Sequence, residues 1–196
     1  MKNNILEIKN WKLKIGDFRR GMTYVELIVV LSIFSVITSV VLFNYGDFQA
    51  KVDIKNLASD IALKVVEAQK SSLSGQWNLN APIDWKPSYG VYFDADTPTE
   101  FIYFANLDTS NFYDPLDSIL DRITITHNNR ISGLEAVGCA SVTKLSIIFR
   151  RPDSSAQITS DGISLSCASY VKITIVSPKS VTATIKIYPS GRIQIN

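Results

Sequence analysis

One carboxylate in this sequence sits where a carboxylate is expensive. Glu26 lies in "GMTYVELIVVLSIFSVITSVVLF", residues 21 to 43, near the start of a long apolar run. Inside hydrocarbon such a group is costly and marks function by default. It needs a positive partner, and its own chain's N-terminal end, within one turn, is the nearest candidate. The other chemistry-bearing residues are sparse. Cys139 and Cys167 are the two cysteines and His127 the single histidine, too few ligands for a zinc site. In "NLDTSNFYDPLD", Asp108, Asn111, Asp114 and Asp117 offer oxygens at close spacing, a weak calcium candidate. The alternating D-x-N-x-D spacing and the central glycine are missing, so the stretch reads as a solvated, turn-rich loop and no metal is expected. His127 in "THNNR" reads as a solvated turn residue. No Ser/His/Asp arrangement and no phosphate-cradling glycine loop occurs, so no catalytic residue and no cofactor is expected, and the chain does not read as an enzyme.

The elements that must position Glu26 come next. Met22 to Phe43 is 22 residues, about 33 Å of helix against a hydrocarbon core of ~30 Å. The hydroxyls of Ser32, Ser35, Thr38 and Ser39 can bond back to the preceding turn. Ahead of the run, Lys2, Lys9, Lys12, Lys14, Arg19 and Arg20 outweigh Glu7 and Asp17. The whole chain carries +2, so the remainder is slightly acidic and lacks the basic excess of a nucleic-acid binder. That flank places the N-terminus in the cytoplasm and the rest outside, in a periplasm or beyond. A secretory signal peptide would end at a small-x-small site, which "VVLFNYGDF" does not offer. A plain single-pass anchor explains everything but Glu26 and the sharp "GMT" border. On this topology Cys139 and Cys167 lie in an oxidising setting. A disulfide between them would stabilise by roughly 3–4 kcal/mol on the chain-entropy model; two buried free thiols are the alternative.

Beyond the span, "DFQAKVDIKNLASDIALKVVEAQKSSLSG" continues the helix over residues 44–75. Leu57, Ile61, Val65 and Ala68 make an apolar stripe that Val66 broadens, with Lys51, Lys55, Lys64 and Lys70 off it. Gly75 is the expected stop and Gly46 the expected soft point. From Tyr89 the pattern changes to period two. "YGVYFD" and "FIYFAN" read as a strand pair, and "DRITIT", "KLSIIF", "YVKITIV", "SVTATIKIY" and "RIQI" follow. The expected fold is α+β: a long N-terminal helix, membrane-spanning in its first half, packed by its second half on one antiparallel sheet in residues 76–196.

"RRGMTYVELIVVLSIFSVI" resembles the cleavage and methylation motif of type IV prepilins and of type II secretion pseudopilins. In that family a basic leader ends in Gly, followed by an apolar residue, often Phe, then Thr, two apolar residues and Glu. By position, the resemblance implies a leader over 1–21, cleavage by prepilin peptidase between Gly21 and Met22, and N-methylation of Met22. Thr23 and Glu26 fall on the assembly positions, where the glutamate of one subunit is thought to neutralise the terminal amine of its neighbour. Met22 stands where Phe is commoner, and the leader is longer than those usual in pseudopilins. "YGVYFD", "FRRPD" and "IKIYPSGRIQI" look like the H-type minor pseudopilins (general secretion pathway protein H). The resemblance therefore implies a pilin-like fold and an inner-membrane, single-pass subunit of a type II secretion pseudopilus or type IV pilus. Its implied partners are other pilins or pseudopilins, the prepilin peptidase/methyltransferase and an inner-membrane assembly platform. A second reading is a minor pilin acting as a binding module in DNA uptake or adhesion. A basic strip around Arg150 and Arg151 with exposed aromatics would favour it.

Overall fold

The computed structural model describes residues 21–82, 85–139 and 141–196. The basic leader residues, Lys2 through Arg20, lie outside the described residues. Two compact units divide the chain, Met1–Phe43 and Asn44–Asn196.

In the first unit the chain enters α1 (Tyr24–Ser74). Up to Phe43 its apolar side chains are exposed on every side, Leu27, Val30, Phe34, Ile37 and Val41 alike. A helix apolar all round has no solvent face of its own. This one is long and apolar enough to cross a membrane. Ser32 and Thr38 donate to the carbonyls of Val29 and Phe34, each at 2.8 Å, which satisfies these hydroxyls within the helix.

In the second unit the same helix changes character. Ile54, Ala58, Ile61, Val65 and Ala68 are at most 2% exposed and recur at alternating steps of four and three, one face of a 3.6-residue period. The expected stripe ran through Leu57; Ala58 takes the centre and Leu57 is half-buried beside it. Lys51, Lys55 and Lys70 face solvent. Lys64 bridges Glu67 at 3.1 Å and Asp121 at 3.2 Å. Gly46 does not soften the helix. It stays helical, its side against Lys179, which pairs with Asp47 at 2.9 Å. The stop comes where glycine permits it. Gly75 has φ +63°; its N–H donates to Ser72 O (3.1 Å), and the N–H of Gln76 donates to Ser71 O (3.0 Å). This paired cap satisfies carbonyls that a helix end otherwise orphans.

Among the described residues ten strands follow: β1 Ser88–Asp94, β2 Glu100–Asn106, β3 Ser118–Thr124, β4 Arg130–Val137, β5 Lys144–Phe149, β6 Ala156–Ser160, β7 Ile163–Ser164, β8 Tyr170–Val176, β9 Thr182–Ile187 and β10 Ile193–Ile195. They form two antiparallel sheets rather than one. The larger has the order β3-β2-β1-β5-β6-β7, the smaller β10-β9-β8-β4. The chain builds three strands of the larger sheet, crosses to the smaller for β4, returns for β5–β7, and finishes the smaller with β8–β10. "DRITIT" was expected to be a strand; β3 starts three residues earlier and ends at Thr124, and Ile125 beyond it is buried.

Helix and both sheets share one core. Ile61 and Val65 pack in a single cluster with Val91, Phe101, Ile147 and Phe149 of the larger sheet and with Val171, Ile173, Ile185 and Ile187 of the smaller. The sheets differ on their outer sides. β8 and β9 alternate strictly between buried and partly exposed positions, as a sheet with one wet face must. β2 and β5 are buried at every position but their first. Ile102, Phe104 and Ile148 on their far face are covered by Tyr92 and Tyr113, the latter from the long connection between β2 and β3.

Candidate functional site

At the start of α1 the geometry is that of a helix cap. Thr23 precedes the first helical residue, and its Oγ1 accepts the N–H of Glu26 at 3.3 Å. The residue before a helix is where Thr is most useful, because its oxygen takes one of the orphaned first-turn amides. Glu26 falls three residues later, the T-x-x-E spacing of a capping box. The sequence reading missed this motif, although "TYVE" before an apolar run was its signal. The first turn also carries the positive end of the helix dipole, which favours a carboxylate. Thr23 thus has a structural role within one chain, and the bond uses only the backbone N–H of Glu26. Glu26 is nevertheless exposed and has no ion-pair partner among the described residues. Gly21 and Met22 precede the helix as exposed chain without regular secondary structure. A Cβ added at Gly21 would meet nothing within 4 Å, so this peptide bond stands clear of packed structure.

Cys139 and Cys167 are joined by a disulfide with a Cα–Cα distance of 5.7 Å. The bridge follows the end of β4 and precedes β8, two paired strands whose last partners are Val137 and Tyr170. The loop it closes contains β5, β6 and β7, all in the other sheet. The bridge therefore ties the point where the chain leaves the smaller sheet to the point where it re-enters. The N–H of Ser169, donating to Val137 O at 2.9 Å, seals the same junction. Gly138 has φ +100°, and a Cβ there would come 2.8 Å from the carbonyl oxygen of Cys167, so the crossover needs glycine.

The acidic stretch between β2 and β3 folds on its own carboxylates. Asp108 Oδ1 accepts from Ser110 N at 2.6 Å, and Asp114 Oδ1 from Leu116 N at 2.7 Å. Asp117 accepts from Leu107 N (3.0 Å) through Oδ1 and from Asp114 N (3.1 Å) through Oδ2. Asn111 offers its backbone oxygen to Thr159 Oγ1 at 2.7 Å. The oxygens that could have ligated calcium instead turn the loop. Among the described residues no three His, Cys, Asp or Glu side chains converge on a common point for an ion. Asp117 is buried, and desolvation is the main cause that raises its pKa to about 6, with the charges of Asp114 and Asp108 adding and the two amide bonds opposing.

Arg150 lies on the same loop's anchor. Its guanidinium donates to the carbonyls of Thr109 (3.2 Å) and Ser110 (3.1 Å), and its Nε to Ser88 Oγ at 3.3 Å. One arginine of the adjacent pair is therefore engaged in holding the loop that covers the larger sheet. Arg151 is exposed beside Gly75 at the helix end. His127 sits exposed in the turn between β3 and β4 with φ +59°, its Nδ1 3.2 Å from Thr126 Oγ1.

Compared with models of protein families, with characterised proteins and with solved structures, the chain matches none.

Proposed function

We propose that this chain is a minor pseudopilin or pilin, a filament subunit rather than an enzyme. The observation that carries the reading is the first turn of α1. An apolar helix, exposed on all sides, opens with an exposed carboxylate that has no ion-pair partner among the described residues. A lone helix gains little from Glu26 beyond the first-turn dipole, and the carboxylate weakens insertion. An assembly in which a neighbour presents a positive terminus supplies a partner that the described residues do not, and that difference favours the assembled state. In this reading prepilin peptidase cuts between Gly21 and Met22, the new amine of Met22 is methylated, and the helix holds the subunit in the inner membrane until an assembly platform feeds it into the filament. The α+β layout, with a helix packed on antiparallel sheets beyond the membrane, supports this reading and is compatible with a pilin-like fold.

The test separates processing from assembly. Intact-mass analysis of membrane-extracted protein should show a chain starting at methylated Met22; an uncut chain in a host that has the peptidase, or a terminus beyond Phe43, refutes the reading. Glu26→Val should insert and be cut normally, yet lose cross-links to the subunits below it. Assembly equal to wild type would leave the carboxylate serving only its own helix.

A further inference from the structure

A cleft of about 680 Å³ in the second unit lies between α1 and the β9–β10 hairpin. Phe48 and Val52 line one wall, Val181 and Ile195 the other, and Lys51 and Lys55 stand on its rim. Three features are unusual together. The cleft opens onto apolar surface where a water-soluble unit would close it: Phe48 is 63% exposed and Ile195 41%. Its two lysines, one helical turn apart, form no ion pair among the described residues. The acids nearest them on the helix are already engaged, Asp47 with Lys179 and Asp53 with Gln49. The wall is thus apolar and its rim carries two lysines without a salt bridge among the described residues, although the Lys51 charge also acts on Asp47, a pairing that fits a molecule with a hydrocarbon body and an anionic head.

Position selects the source of that molecule. Phe48 follows the last residue of the apolar run, Phe43, by five residues, at most about 18 Å of chain in any conformation. Tyr45, between them, is 61% exposed, and exposed aromatics just past an apolar run are the mark of the membrane interface. We infer that this cleft seats an anionic glycerophospholipid of the outer leaflet, its phosphate against Lys51 and Lys55 and the start of an acyl chain along Phe48 and Val52. The inference rests on the membrane-spanning reading of α1 and adds to it: the lipid would hold the folded unit against the bilayer before assembly.

The experiment uses the full chain in phosphatidylcholine vesicles, with tryptophan placed at one position at a time and the signal of the unsubstituted protein subtracted. Traces of brominated phosphatidylglycerol or brominated phosphatidylcholine act as quenchers. Phe48→Trp should be quenched preferentially by the anionic lipid, about fivefold for each lysine on the usual surface-charge scale, and Lys51→Gln with Lys55→Gln should remove the preference. Phe34→Trp, inside the run, should be quenched by both lipids alike. If Phe34→Trp is not quenched at all, the membrane reading fails. If it is quenched while Phe48→Trp shows no preference, or a preference that survives the double lysine substitution, only the lipid site fails. Cross-linking of two chains through Val52→Cys, with no lipid preference, would assign the cleft to a second copy and overturn the inference.

Discussion

The two halves of α1 obey the same local rules and meet opposite surroundings. From Tyr24 to Phe43 the helix is apolar on every face and exposed on every face. From Ile54 to Ser72 it is apolar on one stripe, and that stripe is buried under two sheets. The second half is completed by its own chain. Ser72 Oγ donates to Phe149 O, and Tyr103 OH donates to Ser71 Oγ at 3.0 Å, so even the polar end of the stripe is satisfied from within. The first half is covered by nothing among the described residues. Burial of a side chain like leucine or isoleucine is worth about 1.5–3 kcal/mol, a contribution the first half does not draw from the described residues, and its length and apolarity are enough to cross a membrane.

That contrast can be broken most directly by moving a charge along the helix. Ile61→Asp puts an unpaired carboxylate at a fully buried position and should cost the second unit roughly 4–5 kcal/mol, enough to abolish its cooperative thermal transition. Val36→Asp, in the middle of the apolar run, should leave that transition where it is and lower membrane insertion instead, by about 3 kcal/mol on the insertion scale. Calorimetry beside a membrane-fractionation assay reads both. Equal loss of the thermal transition in the two variants would show that the halves are not independent.

Next in size is the disulfide. It lies wholly in the second unit, so replacing Cys139 and Cys167 by Ser should lower stability by roughly 3–4 kcal/mol on the entropy model and leave the proposed processing and Glu26-dependent assembly intact. Peptide mapping without reductant checks the bond itself: both thiols free to alkylate would contradict it.

A smaller effect concerns the loop that covers the larger sheet. Asp117→Ala strands the amides of Leu107 and Asp114, at about 1–3 kcal/mol. The carboxyl also makes stability depend on pH. Its folded pKa, about 6, lies above the ordinary 3.8, so the folded state holds the proton more tightly than the unfolded chain. By linkage this group's contribution grows as pH falls from about 6 toward 4, and at neutral pH the ionised form is a burden. Wild type should therefore gain from this residue on mild acidification, and Asp117→Asn should not. Thermal melts across that window, compared between the two proteins, measure it; identical slopes would mean another group carries the dependence.

How much of this was legible follows from where the sequence has a single period. The helix stripe, the Gly75 stop and strands β1, β2, β5, β8 and β9 stand out because one face of each is apolar at a fixed spacing. β4 was missed for a physical reason. Its pairing with β8 slips between Ile131 and Gly133, so its buried residues Ile131, Leu134 and Ala136 are spaced three and then two apart, and the alternation that marks a strand is lost at the bulge. β6 and β7 are too short to show a period. The division into two sheets was illegible for a different reason: strands of both sheets alternate alike, and only the crossovers at β4 and β8 separate them. At the candidate site, Glu26 announced itself by being charged among apolar neighbours. Its tie to Thr23 is ordinary capping chemistry and was overlooked because the carboxylate invited a larger explanation.

The smallest predicted effect decides how those two explanations divide. Thr23 Oγ1 holds the N–H of Glu26, and removing a Thr cap costs about 1 kcal/mol. Thr23→Ala should fray the first turn of α1, seen as faster hydrogen exchange at the amides of Val25 to Leu27, with no change in the thermal transition of the second unit. Thr23→Ser keeps the oxygen and should restore protection. Glu26→Gln keeps a side chain that can reach back to the cap but removes the charge. If capping is all that this turn does, Glu26→Gln should assemble like wild type, and Thr23→Ala should be the more harmful of the two. If the charge recognises a neighbour, the order reverses: Thr23→Ala assembles despite its frayed turn, and Glu26→Gln does not, although its exchange rates match wild type. The two variants differ by little in stability, so a large difference in assembly between them cannot come from helix formation and must come from what the carboxylate meets outside its own chain.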